Sequence, residues 1–188
     1  MSVARDGVAY LRYADDSLYA LDLETMSCTP TSYQSNFGHF GMGFATRRVD
    51  GWEDEMFVAN RRHLARLNTT TWRIETLGEL PSQSELSGNT YGELWAMLPL
   101  ERPALLAQLD KVSGRLKRRI ALPGLPEPQR IDTFAFATWD RQFYVFVREH
   151  GMGESTTVYR IDETGVLTVH DSDTGLNIVG AGVSTCAR

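Results

Sequence analysis

What this chain lacks narrows its function first. No apolar run approaches the roughly 20 residues that a helix needs to cross a bilayer, and the opening MSVARDGVAY has none of the apolar core of a secretion signal. Positive charge is in deficit: the formal net charge is −5 and the pI about 5.4. Diffuse nucleic-acid binding needs a basic face that releases counterions, so no nucleic-acid partner is expected. The cluster Lys117-Arg118-Arg119 is the local exception; on a strand it alternates faces and reads as a solvated edge. Charged residues are 23% of the chain and hydrophobic ones 42%, which argues against disorder and suffices for one compact domain over residues 1–188.

Chemistry-bearing motifs are equally scarce. The histidines His39, His63, His150 and His170 form no short-spaced ligand pair, and neither His-Glu-x-x-His nor Cys-x-x-Cys occurs. Two isolated cysteines, Cys28 and Cys186, make a poor zinc site. A Gly-x-Ser-x-Gly elbow is missing, and Gly41-Met-Gly43 lacks the third glycine and the following helix of a dinucleotide fingerprint. Asp171-Ser-Asp173-Thr-Gly175 alternates oxygen ligands as calcium loops do, but without a distal bidentate Glu it reads as a turn. No metal and no cofactor is expected.

What is present is a repeat. Leu18-Tyr-Ala-Leu21-Asp22 is followed by Thr25, Leu64-Ala-Arg-Leu67-Asn68 by Thr71, Leu106-Ala-Gln-Leu109-Asp110 by Ser113, and Val158-Tyr-Arg-Ile161-Asp162 by Thr164-Gly165. The Asp/Asn positions 22, 68, 110 and 162 lie 46, 42 and 52 residues apart. Periods in this range, built from short strands, mark a β-propeller. A second column of matches, Tyr10, Phe57, Trp95 and Tyr144, places an aromatic in the second strand of each unit, where it would fill the wedge between neighbouring blades.

The first unit has three strands before Phe37, at about 7–14, 17–23 and 28–33, whereas the later units have four. The stretch 177–185, NIVGAGVST, is glycine-spaced like 37–46, with Gly180 and Gly182 echoing Gly41 and Gly43. Glycine inside a strand marks a place where another backbone comes close, as near a narrow axis. The expectation is an all-β, four-bladed propeller whose C-terminal strand completes the N-terminal blade and pairs its open edge. The blades are then 7–33 plus 177–186, 37–80, 84–122 and 132–171. The incomplete first repeat also suggests that the chain follows a removed leader; the alternative is a cytoplasmic protein.

A bond between Cys28 and Cys186 would close a very long loop, a constraint of about 4–5 kcal/mol in chain-entropy terms, and would imply an oxidising compartment. Two unrelated thiols are the alternative. In the ring as drawn, two strand spacings of about 4.8 Å each separate their columns, so a bond requires the tail to fold across the blade end.

The repeat [LV]-x-x-[LI]-D-x-x-[ST] resembles the blade repeat of quinoprotein-like bacterial propellers. More narrowly, Ser27-Cys28-Thr29-Pro30-Thr31, Phe40-Gly41-Met42-Gly43-Phe44, Phe143-Tyr144-Val145-Phe146 and the ending from Ile178 to Cys186 resemble a domain of uncharacterised myxobacterial lipoproteins. That resemblance covers most of the chain. It implies an envelope or secreted setting and pairing of the two cysteines, and it carries no catalytic residues; free cysteines would point to the cytoplasm instead.

Candidate sites follow from the ring. His39, Ser87, Asp132 and Asn177 fall at or near the starts of the four expected innermost strands, so they would gather at one mouth of the axis as a polar ligand site, with solvated strand ends as the plain alternative. Trp52, in the polar loop 47–55, is a candidate for partner binding or for covering a blade edge. The functional expectation is a non-catalytic binding or interaction module for a protein or glycan ligand. Its rivals are a glycan- or peptide-directed enzyme using Asp132 and His39 as acid and base, and a structural scaffold inside the cell. A propeller hosts all three.

Overall fold

The computed structural model describes residues 1–34, 37–151 and 153–186. Its strands form four four-stranded antiparallel sheets, arranged as a four-bladed β-propeller. The first blade holds β1 (Ser2–Val3), β2 (Val8–Arg12), β3 (Leu18–Asp22) and β4 (Cys28–Pro30). The second holds β5 (Gly41–Thr46), β6 (Asp54–Ala59), β7 (His63–Leu67) and β8 (Ile74–Glu79). The third holds β9 (Glu85–Gly88), β10 (Leu94–Leu98), β11 (Ala104–Leu109) and β12 (Leu116–Leu122). The fourth holds β13 (Ile131–Trp139), β14 (Gln142–Glu149), β15 (Thr157–Ile161) and β16 (Leu167–Asp171). In every blade the first strand is innermost: β1 packs beside β5, β5 beside β9 and β9 beside β13.

The repeated apolar pair now has a physical meaning. Residues three apart on a strand point to opposite faces, and a blade inside the ring is covered on both. Leu64 enters the core between the second and third blades, and Leu67 the core between the first and second. Leu106 faces the fourth blade and Leu109 the second. All four are at most 3% exposed, and burying a leucine is worth about 1.5–3 kcal/mol. The Asp or Asn that follows caps the turn into the outermost strand. Asp22 Oδ1 accepts the amides of Glu24 and Thr25, both at 2.9 Å, and Asn68 Oδ1 those of Thr70 and Thr71 at 2.9 and 2.7 Å. Asp110 Oδ1 accepts from Val112 and Ser113, and Asp162 Oδ1 from Thr164 and Val166. These bonds to the charged form hold the Asp22 and Asp110 pKa values below the usual carboxylate range, and at Asp162 the Thr164 hydroxyl, donating at 2.7 Å, does so ahead of the amides. In the aromatic column Phe57 and Trp95 are buried between blades. Tyr10 packs on Phe44 at 5.6 Å, while half-buried Tyr144 meets the His170 ring edge-on.

Glycine sets the width of the axis. A Cβ on Gly88 would lie 2.2 Å from the Phe44 carbonyl oxygen, and one on Gly43 would lie 2.8 Å from the Leu86 carbonyl carbon. Strands β5 and β9 therefore meet backbone to backbone.

Ring closure differs from the sequence-based expectation in its detail. The innermost strand of the first blade is β1, paired antiparallel to β2 through Ser2↔Tyr10 and Val3↔Ala9. The tail 177–185 reaches this place but joins β1 by one parallel bridge, Val3↔Ser184, and is not a strand of the sheet. Both run in the same direction, and the antiparallel slot beside β2 is already filled. The glycine spacing serves this approach: a Cβ on Gly182 would fall 2.8 Å from the Met1 carbonyl oxygen and 3.0 Å from Ser2 Cα. The tail is fastened at both ends. The Ile178 amide donates to Thr156 Oγ1 at 2.9 Å, and the fully buried Thr185 hydroxyl donates to the Asp54 carboxylate at 2.8 Å.

The expected disulfide is not formed: Cys28 and Cys186 are both free and exposed. Cys28 begins the outermost strand of the first blade, whereas Cys186 lies at its axial edge, its Sγ 3.9 Å from the Arg5 carbonyl oxygen. About three strand spacings of some 4.8 Å separate those edges, well beyond the usual Cα separation of a disulfide.

Candidate binding cleft

The inner strands run the same way along the axis, so each blade contributes a strand start to one mouth, the lower, and a strand end to the other, the upper. His39 precedes β5 and Asp132 is the second residue of β13, which places both near the lower mouth. Ser87 sits deeper. Its hydroxyl lies 3.1 Å from Thr138 Oγ1 and accepts the Thr138 amide at 3.0 Å, close to the upper end of β13, and both residues are buried. Asn177 is exposed at the start of the tail. Among the described residues no hydrogen bond or ion pair joins any two of these four. His39 Nδ1 is 2.6 Å from Arg12 Nη1, and burial, then Arg12 and Arg61, depress its pKa. Asp132 instead pairs with Arg148 and lies 3.6 Å from His150 Nδ1. As an acid/base pair, His39 and Asp132 are each engaged elsewhere.

The group that sequence reading missed at the lower mouth is Glu85, the first residue of β9. Burial pushes its carboxyl up to about 7, against the opposing pull of the Met1 amine and of Arg12. It lies two positions before Ser87, and period-two reading gave no reason to prefer one over the other.

The upper mouth carries a cleft of about 200 Å3 between the third and fourth blades. Two inner hairpin loops build it. Between β9 and β10, Asn89 Oδ1 accepts the amides of Tyr91 and Glu93, each at 3.1 Å, and the resulting tight turn raises Tyr91 to the rim. Between β13 and β14 the loop is Asp140-Arg141 alone, both with left-handed backbones at φ 45° and 56°. That is the two-residue turn whose twist matches a hairpin, and it sets Trp139 and Arg141 at the opening. Trp139 is 55% exposed. The tail adds Ser184, and the outer strand β12 adds Arg118.

Most charged groups of the cleft are engaged by other groups of the protein, and Asp140 stands exposed in the lining. Glu93 accepts from Trp95 Nε1 at 3.1 Å, Asn89 Nδ2 at 2.9 Å and Gln108 Nε2 at 3.2 Å, so both its oxygens are occupied in holding the indole. Arg141 lies 4.5 Å over the Tyr91 ring and pairs with Glu163 at 3.3 Å. Arg118 lies 5.8 Å from the Trp95 ring and donates to the Glu163 carbonyl oxygen at 2.6 Å. What remains for a ligand is aromatic surface, neutral polar groups and the Asp140 carboxylate. Trp52 stands on the same mouth, 86% exposed in the loop joining β5 to β6, with the Arg5 guanidinium 5.4 Å from its ring.

No protein-family model matches the chain, and no curated protein sequence does. Solved structures do. An exo-β-1,3-galactanase from Phanerochaete chrysosporium, determined with β-1,3-galactotriose, superposes with a TM-score of 0.57 at 7% identity, over 92% of this chain and 50% of that one. An auxiliary nutrient binding protein from Bacteroides thetaiotaomicron matches with a TM-score of 0.46 at 10% identity, over 93% and 53%. The chain thus spans about half the length of these structures. At such identity the likeness to the galactanase is one of fold.

Proposed function

We propose that this propeller is a non-catalytic module that binds a neutral saccharide in the upper cleft. The observation that carries the reading is the lining: Trp139 offers an exposed ring and Tyr91 stands at the rim with Arg141 over one face, while Arg118, Arg141, Glu93 and Glu163 are already held by other groups of the protein. An anionic ligand would meet the Asp140 carboxylate and a cationic one the guanidinium groups of Arg118 and Arg141, whereas sugar rings stack on aromatics and exchange hydrogen bonds with polar groups. The small volume suits one sugar ring at a time. Hydrolysis of a glycoside usually needs two carboxyl groups facing each other about 5–9.5 Å apart across the bond; here Glu93 is saturated and Glu163 paired with Arg141, which leaves Asp140 alone of the three carboxylates of the lining.

Calorimetry against a panel of neutral and acidic oligosaccharides, β-1,3-galactotriose among them, tests the reading. A neutral member should bind with an affinity that salt leaves unchanged, because no ion pair is screened. Trp139→Ala should weaken it about tenfold, the worth of one aromatic contact. Binding confined to charged members, or binding indifferent to Trp139, would refute the proposal.

A further inference from the structure

We infer that the upper mouth holds a second saccharide subsite, in the groove of about 360 Å3 between the first and second blades, so that the ligand is an extended chain lying across the axis. The inference rests on the saccharide reading of the cleft and adds chain length and a second contact point to it.

Three observations lead there. First, the inner hairpin loops of three successive blades each present an aromatic at this mouth: Trp52 from the second, Tyr91 from the third and Trp139 from the fourth. The second and fourth blades stand opposite each other in a ring of four, so Trp52 and Trp139 flank the axis from two sides. Second, the two grooves are chemically alike. Arg141 covers Tyr91 in one and Arg5 approaches Trp52 in the other, and each arginine is neutralised beside its ring, by Glu163 and by Asp54 respectively. Tyr10 and Phe44 supply the apolar floor of the second groove. Third, the grooves are joined by shared structure. Arg5 Nη2 reaches Thr90 Oγ1 at 3.5 Å, one residue from Tyr91. The tail passes from Ser184, in the wall of the first cleft, to Thr185, bonded to Asp54 in the wall of the second.

A surface with stacking platforms at both ends and with Arg5 and Arg141 ion-paired between them recognises a run of uncharged sugar rings, not a single ring. Trp52 is almost wholly exposed, so packing gives no reason for an indole there.

The test is a length series. Disaccharides to hexasaccharides of β-1,3-galactan, β-1,4-glucan and β-1,4-mannan are titrated into the full chain, its Trp52→Ala variant and its Trp139→Ala variant. For a series that binds, affinity should climb about tenfold from the short to the long members as the second platform is reached. Trp52→Ala should remove that gain and leave the disaccharide affinity unchanged, whereas Trp139→Ala should weaken every length. Affinity flat with length, or a climb that survives Trp52→Ala, overturns the second subsite and leaves the first cleft standing. No binding of any series to the unaltered chain overturns both.

Discussion

Alanine at Gly88 should cost this protein more than any comparable change at its surface. The added Cβ would lie 2.2 Å from the Phe44 carbonyl oxygen, 2.5 Å from Ala45 Cβ and 2.8 Å from Ala45 Cα. Ordinary contact begins near 3.4 Å, so β5 and β9 must separate by roughly 1 Å. No rotamer relieves this, because the obstacles are backbone and a Cβ. Overpacking of this kind usually costs about 1–3 kcal/mol and sometimes more. Parting the two inner strands also loosens the core that Ala45, Leu86 and Leu94 share. We therefore expect a loss of about 3–4 kcal/mol, out of a total stability of some 5–15 kcal/mol. At about 2–4 °C per kcal/mol for a chain of this size, Tm should fall by roughly 6–16 °C. Gly124 is the control: its φ is not positive, and a Cβ there meets only Leu167 Cδ2 at 3.4 Å. Gly124→Ala should be neutral or should stabilise by about 0.4–1 kcal/mol through the unfolded chain. Urea denaturation followed by tryptophan fluorescence measures both, with m unchanged if the unfolding remains two-state. A Gly88→Ala loss under about 1 kcal/mol, or equal effects at the two sites, would refute the close approach of these strands.

Two further outcomes test ring closure and the lower mouth. Thr185→Val keeps the shape of the side chain but removes the hydroxyl that donates to Asp54, leaving that carboxylate with the Arg5 amide at 2.8 Å and the Arg5 guanidinium at 3.8 Å. It should destabilise by about 1–2 kcal/mol and speed hydrogen exchange at Ser184 before the central strands; unchanged exchange would mean that the tail is not what this bond fastens. Glu85 titrates near 7 when folded, above its ordinary 4.5, so the folded state binds its proton the more tightly. The resulting stabilisation is whole below pH 4.5 and is lost as the pH rises through 7. Relative to Glu85→Gln, the unaltered chain should therefore lose stability between pH 5 and 8, and parallel curves for the two proteins would show that burial does not shift this group.

Much of the architecture was legible in the chain because it is set by neighbours. The turn caps at Asp22, Asn68, Asp110 and Asp162 use amides two to four residues ahead. The leucine pairs of β7 and β11, three residues apart, put one residue on each covered face of a blade, and their recurrence along the chain made them visible without any partner. Ring closure was only half legible: β1 is two residues long, too short to show any alternation, and its neighbour in space comes from the far end of the chain. Proximity in the folded ring decided the cysteines, since an even count says nothing about which sheet edges they occupy.

The cleft belongs wholly to tertiary structure. Arg118 reads as a solvated edge residue until the fourth blade brings Glu163 alongside it, and Tyr91 and Trp139 gain a common ligand surface only where their blades converge. Sequence by itself determined the number of blades, their strands except the innermost of the first, and the turns within them, because those follow from local backbone pattern and hydrogen bonds between near neighbours. The tertiary structure alone decided how the ring closes and where a ligand fits, because both depend on loops and ends that only the packing of separate blades brings together.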